Sequence, residues 1–156
     1  MKNKTIAPYF YSGVKPHDVL ITILDSEPSE ADLWTGKTVV AGHRASGNSF
    51  IDRFALMLRQ TGYADTTVYA RLMGLQPLVL SHTMLALSGM TAKEWSSEYI
   101  DLAVCELLRK TDMEIREVAR RMGFSSGNTL DFFFKRMHKG MTPFEYRNGY
   151  KRKYNR

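Results

Sequence analysis

Tyr69-Ala70-Arg71-Leu72-Met73-Gly74-Leu75 recurs as Val118-Ala119-Arg120-Arg121-Met122-Gly123-Phe124, 49 positions later. Gly89-Met90-Thr91-Ala92-Lys93-Glu94-Trp95 recurs as Gly140-Met141-Thr142-Pro143-Phe144-Glu145-Tyr146, at an offset of 51. Between these blocks, Leu80 and Met84 fall opposite Leu130 and Phe134 at an offset of 50. Each copy reads as a short helix with a small Ala, a turn closed by Gly, and a second helix. Ala permits a close helix crossing, and Gly takes the positive φ of the turn. Two unrelated helical hairpins would not be expected to share these elements in the same order. The chain therefore reads as two helix-turn-helix units.

The elements around the repeat follow from their caps. Thr91-Ala92-Lys93-Glu94 is a capping box, in which the Thr hydroxyl and the Glu carboxylate each take a free backbone amide. Behind it a helix is expected from about Ala92 to Lys110, with one stripe at Trp95, Tyr99, Leu102 and Glu106. A second stripe is Ile100, Val104, Leu107 and Leu108, so both faces are expected to be buried. At 1.5 Å per residue this helix is a strut of about 30 Å between two packed units. Upstream, Phe50, Phe54, Met57 and Leu58 form one helical face, with Ser49 as cap and Gly62 as stop. Asp65 caps the next helix, which ends at Gly74, and Pro77 opens a third that runs to Ser88. Downstream come a short helix stopped at Gly123, another from about Ser126 to Lys139, and a last one opened by Thr142-Pro143-Phe144-Glu145.

Residues 1–48 differ. Val19-Leu20-Ile21-Thr22-Ile23-Leu24 is a β-branched run of strand type, and Lys37-Thr38-Val39-Val40-Ala41 is a weaker second strand. The stretch 25–36 is a loop or a single helical turn, and 42–48 is a linker. Two strands alone are marginal in water, so this arm must pack on something. Either two arms exchange strands in a homodimer, or the arm folds back on the helix that holds Phe50 and Leu58. The expected fold class is thus mainly α: two helix-turn-helix subdomains joined by a long helix, preceded by a short arm with about two β-strands. The organisation is an arm and linker at 1–48, a helical domain at 49–150 (first unit 49–90, connecting helix 91–111, second unit 112–150) and a basic tail at 151–156.

With 156 residues, 44% hydrophobic and 24% charged, the composition is that of a globular domain and excludes wholesale disorder or a coiled-coil rod. No apolar run suits a membrane span or a secretory signal, and the one cysteine, Cys105, cannot form an internal disulfide. The expected location is the cytoplasm, with no membrane partner. Residues 1–115 carry 11 basic and 13 acidic groups, whereas 116–156 carry 11 basic and 3 acidic. The whole excess of +6 thus comes from the last quarter. Such a patch either faces a polyanion such as nucleic acid or is a solubilising tail around Lys151-Arg152-Lys153.

From about Phe50 to Arg147 the sequence resembles the AraC/XylS family of bacterial transcription regulators, in their DNA-binding domain. The second unit carries the likeness best, with Glu106-Leu107-Leu108, Val118-Ala119, Met122-Gly123-Phe124-Ser125, Phe134-Lys135-Arg136, Gly140-Met141-Thr142-Pro143 and Glu145-Tyr146-Arg147. The resemblance implies two recognition helices set into successive major-groove segments on one face of DNA. The expected strut fits the roughly 34 Å of a DNA turn. The family often has a basic residue on the groove face of each recognition helix. The matching positions here are His82 and Phe132, and residues 78–87 contain no Lys or Arg.

The candidate DNA-binding residues follow. Ser125, Ser126 and Asn128 open the second recognition helix, where free N–H groups suit phosphate or base edges. Asn128 matches adenine, and Lys135 matches phosphate or guanine. Arg136, Lys139 and Arg147 are candidates for phosphate. In the first unit Gln76 and His82 are the polar groups placed to reach bases. Phe132 either meets a thymine methyl or anchors the arm or a partner protein.

Catalysis and cofactors are not expected. Cys105 sits among apolar strut residues, the four histidines lack ligand spacing among themselves, and Gly42 to Gly47 lacks the end of a phosphate loop. The expected function is a sequence-specific DNA-binding transcription regulator acting on double-stranded DNA. The alternative is the same fold used as a protein-interaction module, bound to RNA polymerase or a second regulator, with weak or non-specific DNA binding.

Overall fold

The two Met-Gly turns close with the same hydrogen bonds. Leu75 N donates to Ala70 O at 2.8 Å, and Phe124 N to Ala119 O at 2.9 Å. Gly74 N reaches Arg71 O at 3.1 Å, and Gly123 N reaches Arg120 O at 3.2 Å. Gly74 and Gly123 both take positive φ, at 71° and 86°. The sequence repeat is therefore a repeat of backbone geometry.

The computed structural model describes residues 13–34 and 39–154. In chain order these form α1 (Pro16–Val19), α2 (Glu30–Trp34), β1 (Val39–Val40), β2 (His43–Arg44) and α3 (Ser49–Thr61). They continue as α4 (Thr66–Leu72), α5 (Pro77–Ser88), α6 (Ala92–Lys110), α7 (Ile115–Arg121), α8 (Gly127–Met137) and α9 (Pro143–Tyr154). The mainly helical architecture expected from the sequence is the one observed. Among the described residues no helix is long and apolar enough to cross a membrane.

α6 is the axis of the molecule. Thr91 accepts from Glu94 N at 3.2 Å and Glu94 accepts from Thr91 N at 2.8 Å, so the capping box forms. The equivalent box at Thr142 and Glu145 opens α9. Trp95, Tyr99, Ile100, Ala103, Val104, Leu107 and Leu108 are all buried, which accounts for apolar residues on two faces of one helix. The first unit packs on the amino-terminal half of α6 through Phe54, Tyr69, Leu80 and Met84, with Phe54 5.9 Å from the Trp95 ring. Leu130 and Phe134 play the same part in the second unit. The units also touch directly: Tyr63 N donates to Met122 O at 2.7 Å, and the Tyr63 ring stacks on Phe124 at 4.4 Å.

Four expectations are corrected. The cap of α3 is Asn48, whose side chain accepts from Ile51 N at 3.1 Å, and Ser49 is the first helical residue. The strand expected over Val19–Leu24 does not form, since Val19 ends α1 and the next residues bend, with one isolated bridge from Leu20 to His43. The second strand is reduced to Val39–Val40 (Lys37 and Thr38 lie outside the described residues). It pairs with β2, inside the stretch expected to be a linker, across an Ala41-Gly42 turn with φ of 43° and 79°. The tail at 151–156 belongs to α9 as far as Tyr154, and Lys151 Nζ pairs with Asp112 at 2.6 Å.

The arm fails as a strand because side chains of the helical body answer its backbone. Glu106, 5% exposed, accepts from Ile23 N at 2.7 Å and from Thr22 Oγ1 at 2.6 Å. Arg59 donates to Thr22 O at 2.6 Å, and Arg121 to Ile23 O at 2.6 Å. Val19 and Ile23 enter the core. The arm thus folds back on its own helical domain, the second of the two solutions expected for it. Strand exchange is not needed to bury Val19 and Ile23, while Ile21, Leu24 and Val39 stay exposed.

Glu106→Leu leaves the buried Ile23 amide without an acceptor. A loss of about 2–3 kcal/mol in urea unfolding is expected, with faster hydrogen exchange at Ile23. An Ile23 amide as protected as in the parent would contradict the clamp.

Candidate nucleic-acid interface

α8 is an amphipathic helix. Leu130, Phe133 and Phe134 are buried, and the outer face carries Asn128, Phe132, Lys135 and Arg136. Ser126 is the cap and accepts from Thr129 N at 3.2 Å, while the Ser125 and Ser126 hydroxyls meet Thr129 Oγ1 at 2.9 and 3.0 Å. These hydroxyls hold the helix entrance, and Asn128 stands free of the cap on the exposed first turn. Phe132 is 72% exposed in mid-helix. Lys135, Arg136 and Lys139 follow at the carboxyl-terminal end, all exposed, with the Arg136 guanidinium 5.5 Å from the centre of the Phe133 ring.

Seven of the ten sequence-derived residues thus come from α8 and its flanks. Arg147 is placed apart from them. It lies on α9, half-buried, with Nε donating to Leu108 O at 2.9 Å. That carbonyl belongs to the last turn of α6, where a cation suits the helix dipole. Burial lowers the Arg147 pKa from its ordinary value.

α5 is different in chemistry though equivalent in place. Leu80 and Met84 are buried like their counterparts. Gln76 is the residue before Pro77 at the helix start, exposed and not engaged in a side-chain cap. His82 is exposed six residues along, and around it stand Leu78, 66% exposed, with Val79 and Leu85. α5 therefore shows solvent an apolar face with two polar groups.

Between the units lies a polar cleft of about 250 Å³, lined in part by Tyr63, Asp65, Lys93 and Arg136. It continues into a more open groove of about 580 Å³ that Lys93 and Arg136 also line, together with Glu94 and Glu98. Lys93 is the residue that sequence reasoning misses. It sits in the first turn of α6 as an ordinary member of a capping box, and its nearness to Arg136 comes only from the packing of one unit on the other.

The HTH_18 family, described as a helix-turn-helix domain, matches residues 69–149 of the chain. Among solved structures, the DNA-binding domain of the global transcriptional factor AdpA, in complex with a target DNA, is 24% identical at a TM-score of 0.56, with 65% of this chain and 92% of that one covered. The carboxyl-terminal domain of the two-component response regulator yesN from Fusobacterium nucleatum is 19% identical at a TM-score of 0.56, covering 64% of this chain and 99% of that one. The carboxyl-terminal domain of the response regulator AraT from Geobacillus stearothermophilus is 19% identical at a TM-score of 0.57, covering 65% and 86%. No curated protein matches the chain at a significant level. The structural likenesses bear on the fold, and the family match runs from the turn of the first unit through the second unit. The chain belongs to the AraC/XylS-type helix-turn-helix family of DNA-binding transcription regulators.

Proposed function

We propose that the protein is a sequence-specific regulator that sets α8 and α5 into successive major-groove segments on one face of double-stranded DNA. The observation that carries this reading is the pair of matching turns held at the two ends of the 19-residue α6. That helix is about 29 Å long at 1.5 Å per residue, close to the roughly 34 Å between groove segments one turn apart. In this reading α8 supplies most of the affinity through Lys135, Arg136 and Lys139, and Asn128 reads a base. α5 contributes Gln76 and His82. Phe132 meets a thymine methyl. Arg147 holds α9 to α6 and supports the α8 face without itself meeting phosphate. The protein acts in the cytoplasm of a bacterial cell and has no catalytic step.

Selection of binding sites from random DNA tests the division of labour. Asn128→Ala is expected to relax preference at one position by about 1–3 kcal/mol, and His82→Ala to relax it at a position about one turn away. Unaltered preference in both variants would contradict base reading by these residues.

A second reading is favoured by Leu78, Val79 and Leu85, exposed on a helix without Lys or Arg. Here α5 binds a protein, RNA polymerase or a second regulator, while α8 alone holds DNA. It predicts that His82→Ala and Gln76→Ala leave the selected site unchanged while Asn128→Ala alters it. A homodimer through the arm has less support, since Val19 and Ile23 are already buried within one chain and only Ile21, Leu24 and Val39 are left exposed among the arm's described large apolar residues.

A further inference from the structure

We propose that Asp101, Cys105 and His138 form a Zn²⁺ site that clamps the carboxyl-terminal end of α8 to α6. This site is independent of how the protein reads DNA. Asp101 and Cys105 are one turn apart on α6, so their side chains share a face. His138 follows α8, and its ring is fixed between Phe134, stacked at 4.0 Å, and Tyr146 at 5.7 Å.

The geometry separates a ligand set from a nucleophilic triad. His138 Nε2 is 2.6 Å from Asp101 Oδ1 and 3.7 Å from Cys105 Sγ, and Sγ is 3.9 Å from Oδ1. Both partners meet the same ring nitrogen. In a nucleophilic triad the carboxylate and the nucleophile would meet opposite nitrogens of the imidazole. Three unlike ligand atoms converging on one point are what a metal requires. A point in their plane lies about 2.0 Å from each atom, near the roughly 2.0–2.3 Å typical of zinc with nitrogen, oxygen and sulfur, and a tetrahedral ion would part Nε2 and Oδ1 from their present hydrogen bond to about 3.3 Å. The mixed sulfur, nitrogen and oxygen set suits Zn²⁺ better than Mg²⁺ or Ca²⁺, which prefer oxygen alone.

Charge and access agree with the proposal. A thiolate and a carboxylate neutralise the divalent ion, and the imidazole joins as a neutral ligand. On binding, the thiol proton leaves to solvent and the imidazole proton moves to Nδ1. Cys105 is buried, but Asp101 and His138 keep 14% and 23% of their side chains exposed, so an ion and one water ligand can enter from that side. Nearby, Arg109 donates to the Tyr146 hydroxyl at 2.9 Å. The ion would tie the strut to His138, three residues beyond Lys135 and two beyond Arg136.

Titration of the full chain, stripped of metal and kept reduced, with Co²⁺ tests the site. One equivalent is expected to give a thiolate-to-cobalt charge-transfer band and the visible bands of a four-coordinate ion, both removed by Zn²⁺. Cys105→Ala, a small change at a buried thiol, is expected to abolish the charge-transfer band while keeping the helical circular dichroism of the parent. Asp101→Asn is expected to weaken binding about tenfold or more. Zn²⁺ alone is expected to raise the melting temperature of the parent and not that of Cys105→Ala. Absence of the charge-transfer band in the parent would overturn the proposal. Persistence of that band in Cys105→Ala would overturn it equally, as would cobalt binding that Asp101→Asn leaves unchanged.

Discussion

Gly123→Val is expected to lower the midpoint of thermal unfolding by roughly 10 °C, the equivalent of about 3 kcal/mol in a domain of this size. Two causes act together. The residue has φ of 86°, a region where a β-branched side chain is strained by about 1–2 kcal/mol or more. A Cβ there would also meet Tyr63 N at 2.8 Å and the Gly62 backbone at 3.2 Å. Tyr63 N is the donor that reaches Met122 O, so the clash falls on the seam between the two units. Gly74 is the internal control. It has the same turn and a φ of 71°, but a Cβ at that position meets nothing within 4 Å. Gly74→Val is therefore expected to cost about half as much, the backbone part alone. Melting by circular dichroism decides it: equal losses at the two glycines would contradict the seam, and no loss at either would contradict the turns.

Replacing Lys135 and Arg136 together by Ala is expected to weaken binding to all DNA sequences. The slope of log affinity against log salt should flatten by about one for each phosphate that is no longer neutralised, about two in total. Affinity should fall about 10- to 100-fold at moderate salt if both cations meet phosphate. Both side chains are exposed, so the fold should keep its stability within about 0.5 kcal/mol. An unchanged salt slope would contradict the placement of the DNA on the α8 face. Lys151→Ala is the contrasting variant. Its ammonium pairs with Asp112, whose carboxyl it holds below the ordinary range, so little effect on DNA binding is expected.

What can be read in the sequence is what depends on neighbours within a few residues. The two capping boxes, the Met-Gly turns and Pro77 act over three to five positions, and the extent of α6 from Ala92 to Lys110 follows from them. The arm cannot be read this way. Its β-branched run looks like a strand, but the groups that satisfy Thr22 and Ile23 are Arg59, Glu106 and Arg121. Those partners are 37 to 98 positions distant, and nothing local marks them. Glu106 is visible as a polar residue on an apolar stripe, yet its partner is not. The same limit applies at the interface. Asn128, Lys135 and Arg136 follow from the face of one helix, whereas Lys93 nears Arg136 only when the units pack. Cys105 reads as a small buried thiol, which it is. Comparing the histidines only with one another hides the meeting of His138 with Asp101.

Hydroxyl-radical footprinting of the full chain on a selected DNA site tests the central claim most directly. Two protected backbone segments on one face of the duplex, about 10 base pairs apart, are the result expected if α5 and α8 both enter the major groove. His82→Ala together with Gln76→Ala should weaken protection of one segment only. Protection of a single segment by the parent protein would contradict the account and leave α5 free for a protein partner.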